Sequence, residues 1–341
     1  MRGEFKSVRW LLLIFILILL FFLDVGMGSV KISFSETFSH LIGSGEDEII
    51  QAIIFKIRMP RALAAIIVGA ALAVGGLLMQ SLFGNPLAGP SVLGISSGAS
   101  LGVAMVVLGI GGNVSASFLQ TVDVGKSSLL VAAAFVGALM VFLLILVLAS
   151  RLKDAVSLLI VGVMIGFLTN AIVAIGQYFS SPEMIQDFLL WSLGSLAGLN
   201  NSQLWVMGTL VGMSVLAAFF MAKPLNILLL GENYALSMGL SIKRIRIAII
   251  GITSVLTAAT VSFVGPIGFV GIAVPHLARR FFLTASHKTL IPASVLGGAI
   301  LMLICDLISK LPYSQAVLPM NAVTGLVGAP IVIFVIIKRR S

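Results

Sequence analysis

The sequence predicts an all-α, polytopic membrane protein with about ten transmembrane helices. Three observations support this. Hydrophobic residues make up 59% of the chain, charged residues only 10%, and mean hydropathy is +1.18, whereas soluble domains carry about 25% charged residues. Apolar runs of about twenty residues, the length that crosses a bilayer as a helix, recur from end to end. Glycine recurs at four-residue spacing inside those runs, which is how membrane helices approach one another closely. With 341 residues, the spans use up the chain, so it reads as one transmembrane domain, 1–341, without a large soluble part.

The first run, 10–27, follows Arg2, Lys6 and Arg9, the layout of a signal peptide's opening regions. More membrane follows instead of a soluble mature chain, so this run reads as an uncleaved first span. The loop 28–57 is the longest, and its part 49–57 reads as a helix lying at the interface. Runs at 61–83, 91–110, 128–149 and 156–179 supply the next spans. Residues 183–198 are apolar but too short to cross again and read as a re-entrant or interfacial helix. Run 203–222 is the sixth span. Segment 223–246 is amphipathic, basic at its end and long enough for two short helices, the makings of a docking surface. Runs 246–264, 267–283, 289–308 and 321–337 complete the set.

With the N-terminus inside, 15 of the 21 lysines and arginines fall on cytoplasmic segments and 6 outside, in keeping with the positive-inside rule. Both termini are then cytoplasmic, and Glu36, Glu46, Asp47, Glu48, Asp123, Glu183 and Asp187 are outside. The net charge of +9 is scattered between apolar runs, not gathered on one face, which argues against nucleic acid. The lone Cys305 has no partner for an intrachain disulfide.

Catalytic patterns are missing. Gly125-Lys126-Ser127 resembles the end of a phosphate loop, but Gln120 stands where its first glycine belongs. His40, His276 and His287 lie far apart without metal-ligand spacing, and no GxSxG occurs. No catalytic or metal site is expected, and an enzyme is improbable on these grounds. The pairs Gly94/Gly98, Gly98/Gly102, Gly162/Gly166, Gly194/Gly198 and Gly208/Gly212 suit close helix packing. Charges at the span edges remain. Arg58 and Arg61 flank Pro60, and Asp306 lies one turn before Lys310, within pairing reach. Snorkelling with a helix-end salt bridge explains these residues as well as docking of a partner does.

Several motifs in order go further: Arg58-Met-Pro-Arg61, Gly69 to Gly75 with Gln80, Asn85-Pro-Leu-Ala-Gly-Pro90 with Gly94 to Ala99, Leu228-Leu-Leu-Gly-Glu232 with Gly239, Gly265 to Arg279, and Gly325 to Pro330. Over nearly its whole length the chain resembles the iron-chelate and cobalamin permease family (FecCD/BtuC type), the membrane subunits of binding-protein-dependent ABC importers. The resemblance implies a BtuC-like fold in the bacterial cytoplasmic (inner) membrane, a second permease copy around a central pathway, two cytoplasmic ATPase subunits and an outer substrate-binding protein. ATP and Mg would sit on the ATPases, with no cofactor on this chain. It implies docking to the binding protein by Arg58, Arg61 and Lys310, coupling to the ATPase by Leu229, Gly231, Glu232, Gly239 and Leu240, and an inner gate region at Asp154, Ala155, Val156 and Ser157. As exposed pairs, the docking charges would be worth about 1 kcal/mol each. The third, fifth and last spans would line the pathway.

Two positions depart from the family pattern. Lys310 stands where arginine is usual, keeping the charge but losing the bidentate fork. Asn321 stands where the last helix is usually preceded by glycine. The function expected is ATP-driven import of an iron-siderophore, or a similar large chelate such as cobalamin or haem, by alternating access. The rival is an ion-gradient-driven secondary transporter, which would place ionisable residues near the membrane midplane.

Overall fold

The computed structural model describes residues 2–109, 125–152, 154–310 and 317–339. Expectations for Asp123, Lys153 and Arg340, and for the Lys126 side chain, lie outside the described residues. Every regular element among them is helical. Seven helices are long and apolar enough to cross a membrane.

Helix α1 is Arg2–Gly26, and α2 is the short Phe34–Leu41, started by a Ser33–Glu36 capping box. Helix α3 (Glu48–Ile53) runs through a π-helical turn, Ile54–Arg58, directly into α4 (Met59–Phe83), making one 36-residue helix. Residues 49–57 are therefore not a separate interfacial helix. No glycine or proline breaks them, and the wide turn falls where the Pro60 ring would crowd the preceding carbonyls.

The predicted third run begins with a 3-10 turn, Pro90–Leu93, and the left-handed Gly94 (φ 75°), which leave α5 only Ile95–Val107. Helices α6 (Gly125–Arg151) and α7 (Ala155–Tyr178) cross fully, α8 (Pro182–Ser192) is short, and α9 (Asn201–Phe220) follows a capping box at Asn200. Two short helices, α10 (Ala222–Leu228) and α11 (Glu232–Ser237), occupy the predicted docking segment. Helix α12 (Ile242–Val264) ends in an irregular stretch containing Phe269 at φ 65°, so α13 spans only Val270–Phe282. Helix α14 is His287–Ser309 and α15 is Met320–Arg339. Among the described residues seven helices are thus long and apolar enough to cross, and two of the predicted spans, α5 and α13, are shortened by backbone breaks.

Helix α4 is the core of the bundle, buried over most of its length and packed on α9, α12, α13 and α14. Lipid tails are as apolar as leucine, so burying leucine alone gains little in a bilayer and close approach must supply the attraction. Gly69 meets Gly298 of α14 backbone to backbone, and Gly76 meets Gly271, leaving no space for a Cβ in either pair. Gly98 and Gly102 press in the same way on Gly137 and Ala133 of α6, and Gly162 on Val92 and Leu93. Two predicted packing pairs do not hold. Gly194 and Gly198 are turn residues at φ 71° and 84°, where only glycine sits without strain. Gly212 faces open space and Gly208 touches only Ile67.

Candidate functional site

The predicted outer end of the bundle holds a buried charge cluster. Asp306 and Lys310 lie one turn apart at the end of α14, and Lys310 Nζ is 3.0 Å from Asp306 Oδ2. The same ammonium sits 2.8 Å from Asp24 Oδ2 and donates to the Asp24 carbonyl at 2.9 Å, tying α14 to the last turn of α1. Arg61 donates from Nε to both Asp306 oxygens at 2.8 and 3.1 Å, with Nη2 also 2.8 Å away. Arg58 donates to the carbonyls of Val25, Gly26 and Val30 at 3.1, 2.7 and 2.6 Å, holding the loop after α1.

The positions expected as an exposed docking edge are therefore internal. Arg58 is 4% exposed, Lys310 6% and the Arg61 side chain 12%. Their pairs are not the weak exposed kind, because removing one partner of a buried pair costs about 3–5 kcal/mol. Asp24, at the end of an apolar run, was missed by pattern reasoning; a lone carboxylate there was the available signal. Three cations against two carboxylates leave the cluster one positive charge in excess. Arg58, Arg61 and Lys310 line a small cavity of about 160 Å³ with Met27 to Val30.

Asn321 also has a place. Its Oδ1 accepts from the Gly268 N–H at 3.1 Å, while its own N–H donates to the Leu193 carbonyl at 3.0 Å. One residue thus stitches the start of α15 to the break before α13 by its side chain and to the end of α8 by its backbone. A glycine there would keep only the backbone bond.

The other end carries the predicted coupling segment. Leu229, Gly231, Glu232 and Gly239 are exposed, as are Leu230, Tyr234, Leu236 and Met238, whereas Leu240 is half-buried against the core. Gly231 and Gly239, at φ 104° and 78°, turn the chain on either side of α11. Arg246, 4% exposed, reaches two ways: to Glu232 Oε1 at 3.5 Å and to the Leu152 carbonyl at 3.2 Å. It therefore joins the coupling segment to the segment before α7, where Asp154 caps the helix through the Ser157 N–H at 2.7 Å. That hydrogen bond holds the Asp154 carboxyl below the usual carboxylate range. Ala155 and Ser157 are half-buried and Val156 is exposed, so the four predicted gate residues form the capped first turn of α7.

Helix α10 is anchored separately. Asn226 Oδ1 accepts from the His287 N–H at 2.8 Å, and His287 Nε2 lies 2.6 Å from Ser81 Oγ. Gln80 donates to the Ile272 carbonyl at 3.2 Å and accepts from Arg279 at 2.6 Å. Among the described residues no cluster of three metal-ligating side chains occurs.

A bundle of long apolar helices with a buried ionic cluster at one end and an exposed apolar edge at the other fits a membrane permease subunit of the ABC-transporter kind. The chain belongs to the FecCD transport family, whose model matches residues 16–338. It is 34% identical over 341 residues to the vitamin B12 import system permease protein BtuC of Shigella boydii serotype 18, covering 99% of this chain and 98% of that one. The protein of the same description from Escherichia coli O157:H7 is 35% identical over 339 residues, covering 99% and 97%. A solved metal-chelate type ABC transporter in an inward-facing conformation superposes with a TM-score of 0.83 at 27% identity, covering 98% of this chain and 99% of that one. PsaBC from Streptococcus pneumoniae shares the fold more loosely, with a TM-score of 0.51 at 16% identity over 87% and 94%.

Proposed function

We propose that the whole chain acts as one permease domain of an ATP-driven importer, carrying an iron-siderophore or a similarly large chelate, cobalamin or haem, inward by alternating access. It works in the bacterial cytoplasmic membrane with both termini cytoplasmic. The observation that carries the reading is Arg246, which bonds the coupling segment and the gate segment at once. A partner ATPase gripping the apolar edge of Leu229, Leu230, Tyr234 and Leu236 moves Glu232, and Arg246 passes that movement to Leu152 and the first turn of α7. ATP and Mg belong to two ATPase subunits, and this chain needs no cofactor. The relatives named for vitamin B12 import and metal-chelate transport support the cargo class.

At the opposite end, the excess positive charge of Arg58, Arg61 and Lys310 suits a carboxylate offered by an extracytoplasmic binding protein. Because each cation is already oriented by bonds within the chain, little ordering entropy is lost on docking. A second copy of the chain would cover the open apolar face of α7, where Ile160, Met164, Phe167 and Leu168 are exposed, and close the pathway with α5 and α15.

The ion-driven alternative has a weaker footing. Asp24 and Asp306 are buried acids, but Lys310 and Arg61 neutralise them and both lie near span ends. The test is uptake of radiolabelled ferric siderophore and of cobalamin into proteoliposomes holding the permease, its ATPase and the loaded binding protein. Uptake that requires ATP inside and the binding protein outside is expected. Uptake that persists without ATP and collapses with the ion gradient would contradict it.

A further inference from the structure

A crevice of about 700 Å³ opens between α1, α13, α14 and α15, within the roughly 300–1,000 Å³ of ligand clefts. Its walls are aliphatic, with Val274, Leu277, Ile300, Ile304, Val327 and Ile331 on three helices. The charged residues among its lining are Arg9 and Arg280. We infer that this crevice binds one anionic phospholipid, its phosphate held between Arg9 and Arg280 and an acyl chain laid along the apolar walls.

Arg9 lies at the beginning of the span Ser7–Gly26, and Arg280 in the last turn of α13, where a cation is also favoured by the helix end. Both therefore stand at one membrane boundary, the level of head groups. Each guanidinium rests on a ring, Arg9 at 5.9 Å from the centre of Phe281 and Arg280 at 5.7 Å from Phe334. The ring attracts the cation over its face, and the guanidinium carries five N–H donors with which to grip a phosphate. Trp10 packs at a tilt of 38° on Phe282, with ring centres 4.4 Å apart, and pins the first helix to α13.

The walls decide between a lipid and a free phosphate, since inorganic phosphate gains nothing from an aliphatic crevice. The charges decide between a lipid and a second copy of the chain. A protein partner would need an acid at this level, and the predicted cytoplasmic segments hold only Glu4, Asp154 and Glu232 against 15 bases. Of these, Asp154 caps its own helix and Glu232 faces Arg246. Basic pockets between spans on the cytoplasmic side are recognised sites for anionic head groups.

Trp10 supplies the reporter. In the full-length protein carrying Trp191→Phe and Trp205→Phe, only Trp10 fluoresces. Quenching by phosphatidylglycerol with brominated acyl chains is compared with that by brominated phosphatidylcholine in detergent micelles. Two arginines at an anionic head group lead to an expected preference on the order of tenfold for phosphatidylglycerol. Arg9→Gln with Arg280→Gln should abolish the preference, and Arg9→Lys with Arg280→Lys, which keeps charge, should retain most of it. Equal quenching by the two lipids, a preference unchanged in the glutamine pair, or no quenching by either because a second copy covers the crevice would each overturn the assignment. Loss in the lysine pair at an unaltered melting temperature would overturn it as well.

Discussion

The two ends of the bundle solve opposite problems with similar residues. At the end holding Asp24, Arg58, Arg61, Asp306 and Lys310, the charges are buried, four of them paired with one another and Arg58 held by the carbonyls after α1, which locks α1, α4 and α14 together. At the predicted coupling end, Leu229, Leu230, Tyr234, Leu236 and Met238 face outward, and Arg246 provides a cross-link from this segment to the predicted gate segment. The first arrangement is a clamp whose cost of breaking is stability. The second is, on the proposed mechanism, a lever whose cost of breaking is function. Burial decides which is which, because an ion pair gains most from geometry where water cannot compete with it.

The contrast can be broken most forcefully at the clamp. Asp306→Asn leaves Arg61 and Lys310 without their shared carboxylate and should destabilise the fold by about 3–5 kcal/mol, read as a large drop in melting temperature in detergent. A melting temperature close to the parent's would show that the cluster is wet and loosely held. Next comes the seam beside it. Gly69→Ala pushes a methyl into the Gly298 backbone and should cost about 1–3 kcal/mol by overpacking, whereas Gly212→Ala, in open space, should leave the melting temperature unchanged.

At the lever the signs reverse. Leu230→Asp should shift the melting temperature hardly at all, within about 0.5 kcal/mol for a surface site, yet weaken capture of the partner ATPase by about 2 kcal/mol or more if Leu230 is an interface anchor. Pull-down with the purified ATPase checks this, and unweakened capture would remove the exposed edge from the interface.

The smallest expected effect is at Asp154. Its carboxyl titrates below the usual carboxylate range because the Ser157 N–H donates to it, so its contribution to the start of α7 is present above that usual range. It is lost only as pH falls through the lowered value. Asp154→Asn should therefore differ from the parent in acid sensitivity of melting, and curves that stay parallel into acid would contradict the cap.

What was legible in the sequence follows from the range of each interaction. The π-turned entry to α4 aside, the long spans follow from local hydropathy, and the docking segment with its two short helices follows from local amphipathicity and Gly231 and Gly239. The Asp306–Lys310 pair follows from its one-turn spacing. Asp24 and Lys310 are 286 residues apart, and Arg246 and Leu152 are separated by 94, distances over which no local pattern announces a partner. The burial of Arg58 was hidden for the same reason, since the carbonyls that receive it belong to the loop after α1. Shortened spans such as α5 and α13 keep the apolar composition of full ones, and only backbone breaks at Gly94 and Phe269 separate the two.

On the proposed mechanism movement passes from the coupling segment to the gate through Arg246, which sets the ratio of substrate moved to ATP spent. In proteoliposomes with ATPase and loaded binding protein, substrate transported per ATP hydrolysed is measured for the parent, Arg246→Gln and Glu232→Gln, alongside ATPase capture. The account predicts that both variants still bind the ATPase and hydrolyse ATP while the ratio falls, more in Arg246→Gln, which loses both links, than in Glu232→Gln, which loses one. A ratio equal to the parent's in Arg246→Gln, with the protein folded and the ATPase bound, would contradict it.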